Sequence, residues 1–538
     1  MILILIALTL TFPILYKYSF VITNQFSQIP LILSFMDKNY LINDWYVSVN
    51  RSFGPRTVFA WYMTQTAKMS SLPVTFLLHY LLYIFLVTLA TYKLTFIVFK
   101  QKYISLTTTI CILFGTTISL GGNILITQDF VAPQLPLGLS LLAIVFLLEK
   151  KYLLASIVFS VTSYLHPLIG FESALLFIFI TMIGFYLSRK SIKQLTIYGL
   201  LPYLFFSLPA IILYLKEGTA SSVSSLTKIA IHAFMRNPHH YIASSFPLSH
   251  YLQFFIMLTL FTTSLLILNK FIIRFIRNFF GVSILLILLI CFMGFVGTEI
   301  FPFYPLVILQ TFRLTLYIYW MAAIVVIGGI FFIAAKNSRF LPLIFIPVFL
   351  TNPSYFSSFN KVKILSTIIG FFLIVFYKKI PKYIFIFLLI IFFALGKYHD
   401  KFNFSSYYTH PTTEIEIANW TRNHTPLDSI FLIPPEFESF RLVANRAVVA
   451  DWKSFPFQEK GMLEWANRMC NLANKQNCIY KKITYNNIAS GYRENTKESL
   501  MELSKKYGFS YVISDKEIIG LEKIYGNKFN IYLIPNKK

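Results

Sequence analysis

Long apolar runs fill most of the chain up to residue 396, interrupted at intervals by short clusters of lysine and arginine. The hydrocarbon core of a bilayer is ~30 Å thick and offers no water to backbone polar groups, so a spanning helix needs ~20 apolar residues. The runs predict about 13 such helices, centred near residues 11, 86, 112, 140, 158, 177, 204, 260, 288, 324, 350, 370 and 389. The first run, Ile2 to Phe12, has no basic residues before it and no small-residue cleavage site, and reads as a retained span. Two connections are too long to be turns, residues 23–72 and 216–250. The first mixes aromatic and charged residues, as in Asn43-Asp44-Trp45-Tyr46, which suits the membrane interface. The second carries Arg236-Asn237-Pro238-His239-His240-Tyr241.

Near Lys397 the pattern changes to that of a soluble domain. Thr413 to Asn423, Phe457 to Lys475 and residues 495–506 have helical period, whereas Ser429 to Ile433, Tyr511 to Ser514 and Phe529 to Ile534 read as strands. The expected fold class is therefore a polytopic α-helical membrane protein over residues 1–396, followed by a soluble α/β domain over 397–538.

Composition supports that division. The chain is 56% hydrophobic and 13% charged, with a mean hydropathy of +0.65, a balance outside the soluble classes. The net charge of +25 would suit a nucleic-acid partner, but the positive residues flank apolar runs and form no single basic face. No nucleic acid is expected; the bilayer is the expected partner. Alternate connections carry Lys100 and Lys102, Lys150 and Lys151, Arg189 and Lys190, Lys270 and Arg274, Lys336 and Arg339, and Lys378 and Lys379. By the positive-inside rule this predicts a cytoplasmic N-terminus and an extracytoplasmic C-terminal domain. Six of the seven acids before residue 397 then fall on the outer side, with Glu149 alone inside. Cys111 and Cys291 lie within apolar runs; Cys470 and Cys478 are close enough to bridge in an oxidising compartment, or to stay free.

Ionisable groups at helix mouths are costly and so mark candidate sites. Asp44 and Asp129, in the first two outer loops, can hold a divalent cation, serve as a base, or simply cap helices. His166-Pro167 marks a break between two spans, with Glu172 six residues on from His166. At 100° per residue these two do not share a helical face, so a joint site requires the proline break to turn His166 inward. Glu299 and Arg313 stand at facing helix mouths, either paired with each other or with Arg313 free to bind phosphate. In the C-terminal part, Arg441, Arg446, Asp451-Trp452-Lys453, Trp465 and Arg468 form a dense group that serves either a lipid phosphate or a docking face. No P-loop, GxGxxG, HExxH or zinc-spaced set is present, so nothing points to a nucleotide or a soluble cofactor.

An acid in a long first outer loop (Asp44), a second after the third span (Asp129), and an outer C-terminal α/β domain together resemble the GT-C superfamily of membrane glycosyltransferases. The order of Glu299 and Arg313 is most similar to that in oligosaccharyltransferase catalytic subunits, although their Trp-Trp-Asp signature is absent. The resemblance implies a plasma (inner) membrane enzyme of the cell envelope. It would transfer sugar, with inversion, from a polyprenyl-phosphate or polyprenyl-diphosphate donor. Asp44 would act as base, Asp129 and Glu299 would assist or hold a divalent cation, and Arg313 would stabilise the departing phosphate. His166, Glu172, Arg441 and Lys453 are further candidates for substrate binding. A lipid or oligosaccharide translocator and a non-enzymatic envelope-assembly protein are the other two readings.

Overall fold

The computed structural model describes residues 1–16, 18–115, 118–219, 223–336, 412–475, 478–480 and 484–535. The expected spans near 350, 370 and 389 and the boundary near Lys397 lie outside the described residues. The membrane part opens with α1 (Ile2–Tyr16), α2 (Gln25–Met36), α3 (Trp45–Asn50) and α4 (Thr57–Ala67). It continues with α5 (Leu72–Phe99), α6 (Lys102–Phe114), α7 (Gln134–Leu148), α8 (Tyr152–Leu165) and α9 (Pro167–Leu187). Four further apolar helical segments follow, Lys193–Lys216, Leu248–Ile267, Arg274–Ile300 and Tyr304–Lys336.

Among the described residues six helices are long and apolar enough to cross a membrane: α5, α9 and these four. The expected spans near 11, 112, 140 and 158 correspond to apolar helices of 15, 13, 15 and 14 residues. The longest, α5, starts after Ser71 with Pro73 in its first turn, where the missing N–H leaves no bond unmade, and stops at Lys100 in a left-handed conformation. Helix Thr315–Lys336 is the most enclosed, and its Trp320 donates to Thr91 Oγ1 at 3.0 Å.

The C-terminal part is a small α/β unit. Its five strands are β1 (Ile430–Leu432), β2 (Ala447–Val448), β3 (Tyr511–Ser514), β4 (Glu522–Gly526) and β5 (Asn530–Leu533), in the order β2-β1-β3-β5-β4. β1 runs parallel to β2 and β3, with Phe431 opposite both Val448 and Tyr511, whereas β5 is antiparallel to β3 and β4. Helices Thr413–His424, Glu459–Leu472 and Lys497–Tyr507 pack around the sheet. Cys470 and Cys478 are joined by a disulfide.

Both long loops of the membrane part dock under this unit. Residues 23–72 fold into α2, α3 and α4, with Trp45 packed against the C-terminal core and its ring 4.5 Å from the Arg468 guanidinium. The second loop inserts Ile231 and Met235 into the same core as Trp465 and Met469, and Lys228 pairs with Glu459.

The deepest link is ionic. Asp44 is 0% exposed and Arg441 and Asp451 are each 1% exposed. Arg441 Nε donates to Asp44 Oδ2 at 2.8 Å, and its Nη1 donates to Asp451 Oδ2 and Ser454 Oγ. Asp44 also caps α3 by accepting from Val47 N at 3.0 Å, and accepts from Val448 N on β2 at 3.0 Å. Burial works against the Arg441 charge, but Asp44 and Asp451 outweigh it and hold the guanidinium above its ordinary range.

Removing one member of a buried ion cluster strands its partners and costs about 3–5 kcal/mol, although replacing the whole cluster costs far less. Arg441→Met is therefore expected to lower the apparent Tm in detergent. A triple variant, Asp44→Asn with Arg441→Met and Asp451→Asn, should recover most of the loss. An unchanged Tm in the single variant would show that docking does not depend on this cluster.

Candidate functional site

A cavity of about 1320 Å³ lies between the helices of the membrane part and the C-terminal unit. That exceeds the ~300–1,000 Å³ of sites for drug-sized ligands. Two breaks in the helices build its lower wall. At the first, His166 is extended (φ −152°, ψ 96°) and caps α9, its Nδ1 accepting from Ile169 N at 3.4 Å. Gly170 permits this corner, since a Cβ there would lie 2.2 Å from Ser163 Cα. His166 and Glu172 consequently both line the cavity, one from the corner and the other from α9.

The second break positions Arg313. The turn Thr311–Leu314 rests directly on helix Arg274–Phe295 at Gly294, where a Cβ would meet Thr311 Oγ1 at 1.8 Å. Before the turn, Gln310 is held at φ 47°, a left-handed conformation uncommon for a residue with a side chain. Its amide nitrogen donates to the Tyr241 hydroxyl, and its amide oxygen accepts from Arg313 Nη2. Arg313 Nε and Nη1 remain buried without a hydrogen-bond partner among the described residues.

The upper wall joins the second long loop to the C-terminal unit. Arg236 stands over the Trp452 ring at 5.8 Å with its Nε unpartnered among the described residues, and Arg56 stacks on Phe457 at 4.6 Å. Lys453 and Glu438 complete this side, with Nζ 3.8 Å from the carboxylate. Among the described residues none of Arg56, Arg236 and Arg313 forms a salt bridge. Burial, with Arg56 nearby, pushes Arg236 down to about 10, so it is still charged at neutral pH. The imidazoles add no charge there: burial and neighbouring Arg236 push His232 down to about 4, and burial together with His239 pushes His240 down to about 3.

Below the cations the lining turns apolar, with Leu175, Phe179, Met182, Leu286, Ile290 and Ile308. Leu175 and Phe179, on α9, are 49% and 55% exposed and form part of this apolar lining. It is one chamber with both a cationic and an apolar lining.

The residues singled out from the sequence divide into two groups. Arg313, His166, Glu172 and Lys453 line the cavity. Asp44, Asp129, Glu299 and Arg441 do not, because each is engaged elsewhere. Asp44 and Arg441 hold each other in the buried ion cluster. Asp129 is 4% exposed behind the wall formed by Asn24, Ala132 and Pro133, and it accepts from Thr23 Oγ1; burial raises its carboxyl. Glu299 accepts from Ser244 N at 3.1 Å and makes no ion pair with Arg313. Nor do these acids assemble a cation site: among the described residues no three His, Cys, Asp or Glu side chains converge as metal ligands. Arg56, Arg236 and Glu438 were not recognised from sequence as parts of one site, though Arg236 belongs to the aromatic, histidine-rich stretch of the second long loop.

No curated protein matches the chain. Among solved structures it is similar to ArnT from Cupriavidus metallidurans in the apo state, with a TM-score of 0.50 and 8% identity over 99% of this chain and 97% of that one. It is also similar to the Archaeoglobus fulgidus oligosaccharyltransferase tethered with an acceptor peptide containing the NVT sequon. There the TM-score is 0.49 and the identity 14%, over 95% of this chain and 68% of that one. At these identities the likeness is one of fold: the chain shares the overall fold of the ArnT structure. Its C-terminal unit carries a match to a domain of unknown function, DUF6798, over residues 412–472.

Proposed function

We propose that this protein is a membrane glycosyltransferase that moves a sugar from a polyprenyl-phosphate-linked donor to a hydroxyl-bearing acceptor at the outer face of the membrane. One observation carries the reading. Within a GT-C architecture, a single chamber joins guanidinium groups that form no salt bridge among the described residues to an apolar lane. Buried charge without a counter-ion is costly, and an anionic ligand removes that cost where a neutral one does not. A lipid-linked phosphate matches both ends at once: its chain takes the lane and its head group meets the cations.

In this reaction the acceptor oxygen attacks the anomeric carbon as the bond from that carbon to the phosphate oxygen breaks, and the electron pair leaves with the phosphate. Charge grows on the phosphate in the transition state. Arg313 is fixed in advance by Gln310 and offers two free donor positions, which is the kind of preorganised stabilisation that lowers such a barrier. An arginine fork suits a phosphate better than a point charge does. The C-terminal unit lies on the extracytoplasmic side in this reading, and the Cys470–Cys478 disulfide supports that placement because such bonds persist in oxidising compartments.

Two measurements check these statements. Reconstituted protein supplied with a set of radiolabelled undecaprenyl-phosphate hexoses should release label from at least one. Arg313→Gln is expected to slow that release by about 10²–10³-fold. Release by Arg313→Gln at the wild-type rate would remove Arg313 from the reaction, and no release from any donor by the wild type would remove the function. For orientation, protein from cells denatured in SDS should take up polyethylene-glycol maleimide at two cysteines, Cys111 and Cys291, and at all four only after reduction. Four labels without reduction would place the unit in a reducing compartment.

A further inference from the structure

Transfer to a hydroxyl needs a group that receives its proton, and the first-loop acid, Asp44, is already engaged in this structure. Both oxygens of Asp44 are engaged, Oδ1 by Val47 N and Oδ2 by Arg441 Nε and Val448 N, and no part of it is exposed. Three carboxylates line the cavity instead: Glu172, Glu438 and Glu459. Glu459 is tied to Lys228 in an ion pair. Glu172 projects from α9 within electrostatic reach of Arg313, at the end where the leaving phosphate would lie. Glu438 differs from both. It comes from the turn between β1 and helix Phe440–Ala444 and lines the cavity, with its side chain 32% exposed. Lys453 Nζ lies 3.8 Å from its Oε2, an ion-pair distance too long for a hydrogen bond, which leaves the carboxylate able to accept from a substrate hydroxyl. Trp452 and Tyr485 meet edge-on at 5.4 Å in the same wall and offer the flat apolar surface on which a polar acceptor's hydrophobic face can rest.

Resting on the glycosyl-transfer reading, we infer that Glu438, supplied by the C-terminal unit, is the general base that takes the acceptor proton. The acceptor O–H bond breaks towards a Glu438 oxygen while the acceptor oxygen bonds to the anomeric carbon. The sugar–phosphate bond breaks, and the phosphate leaves with the electron pair towards Arg313. Atoms and charge balance, with the proton on Glu438 and the negative charge on the phosphate. The charged and titratable groups around Glu438 are Lys453, Asp451, Arg236, Glu414 and Tyr485. Burial, reinforced by Asp451, raises its carboxyl despite Lys453 and Arg236, which makes it a stronger base than a solvated glutamate. A base works in its ionised form, so turnover should rise with pH through that group's titration and then level.

The experiment uses full-length protein and the undecaprenyl-phosphate hexose that the wild type turns over, with tritiated undecaprenyl phosphate as the binding probe. Glu438→Gln is expected to lower kcat by about 10²-fold or more and to lose the rising acid limb of the pH profile, yet bind the probe within about twofold of wild type. Glu438→Asp should retain measurable turnover with that limb present. Turnover of Glu438→Gln within about threefold of wild type overturns the assignment. So does a parallel loss of probe binding, which would make Glu438 a structural residue. Failure of the underlying reading looks different: the wild type itself would bind no undecaprenyl phosphate, or Arg313→Gln would bind it as wild type does.

Discussion

A guanidinium held between two carboxylates, none of them reached by water, ties the first long loop to the C-terminal unit. Arg441 takes Asp44 from the loop on one side and Asp451 from its own unit on the other, and Asp44 in turn anchors β2 through Val448 N. Desolvating three charged groups is expensive, and the arrangement persists only with close, hydrogen-bonded geometry on every side. Its effect is positional. The turn that begins at Asp451 leads directly into Trp452 and Lys453, so the same cluster that fastens the unit also sets two side chains of the cavity wall. The apolar contacts of Trp45, Ile231 and Met235 add area to this interface, and the ionic cluster gives it register.

The chamber reads as a compromise between two solvents. At one end its walls share the apolar character of the membrane; at the other, cations stand in a medium that screens them poorly, where each interaction with an anion counts for more than in water. The neutral imidazoles of His232 and His240 provide polar surface without adding repulsion among Arg56, Arg236 and Arg313. Gln310 accepts the backbone strain of a left-handed conformation in order to orient Arg313, the kind of local cost that recurs at functional positions.

Much of this was legible along the chain, because it depends on neighbours in sequence. Apolar runs located the helices, alternation located β1, β3 and β5, and the His166-Pro167 break marked the corner that turns His166 and Glu172 into one chamber. Arg313 stood out as a charge at a helix mouth facing Glu299, open either to that pairing or to a phosphate. What was not legible depends on pairing across distance. Asp44 looked like a loop acid free for chemistry, since its partner Arg441 lies 397 residues away and nothing local announces the match. Glu438 looked like one of many acids in a soluble unit, and only the docking of that unit brings it into the same cavity as Arg313. Arg56 carried no local signal at all: its place is set by stacking on Phe457.

The lining of the chamber comes from two separate stretches of the described sequence, one ending at residue 314 and the other running from 438 to 485 in the C-terminal unit. Synthesis proceeds from the N-terminus, so the helices reach the bilayer while the other wall is still unmade. During that interval Arg56, Arg236 and Arg313 stand without the residues that the C-terminal unit adds to the same chamber, among them Glu438, Trp452 and Tyr485. The chamber therefore has its full lining only once that unit has folded and docked, which makes the site the last part of the molecule to be assembled.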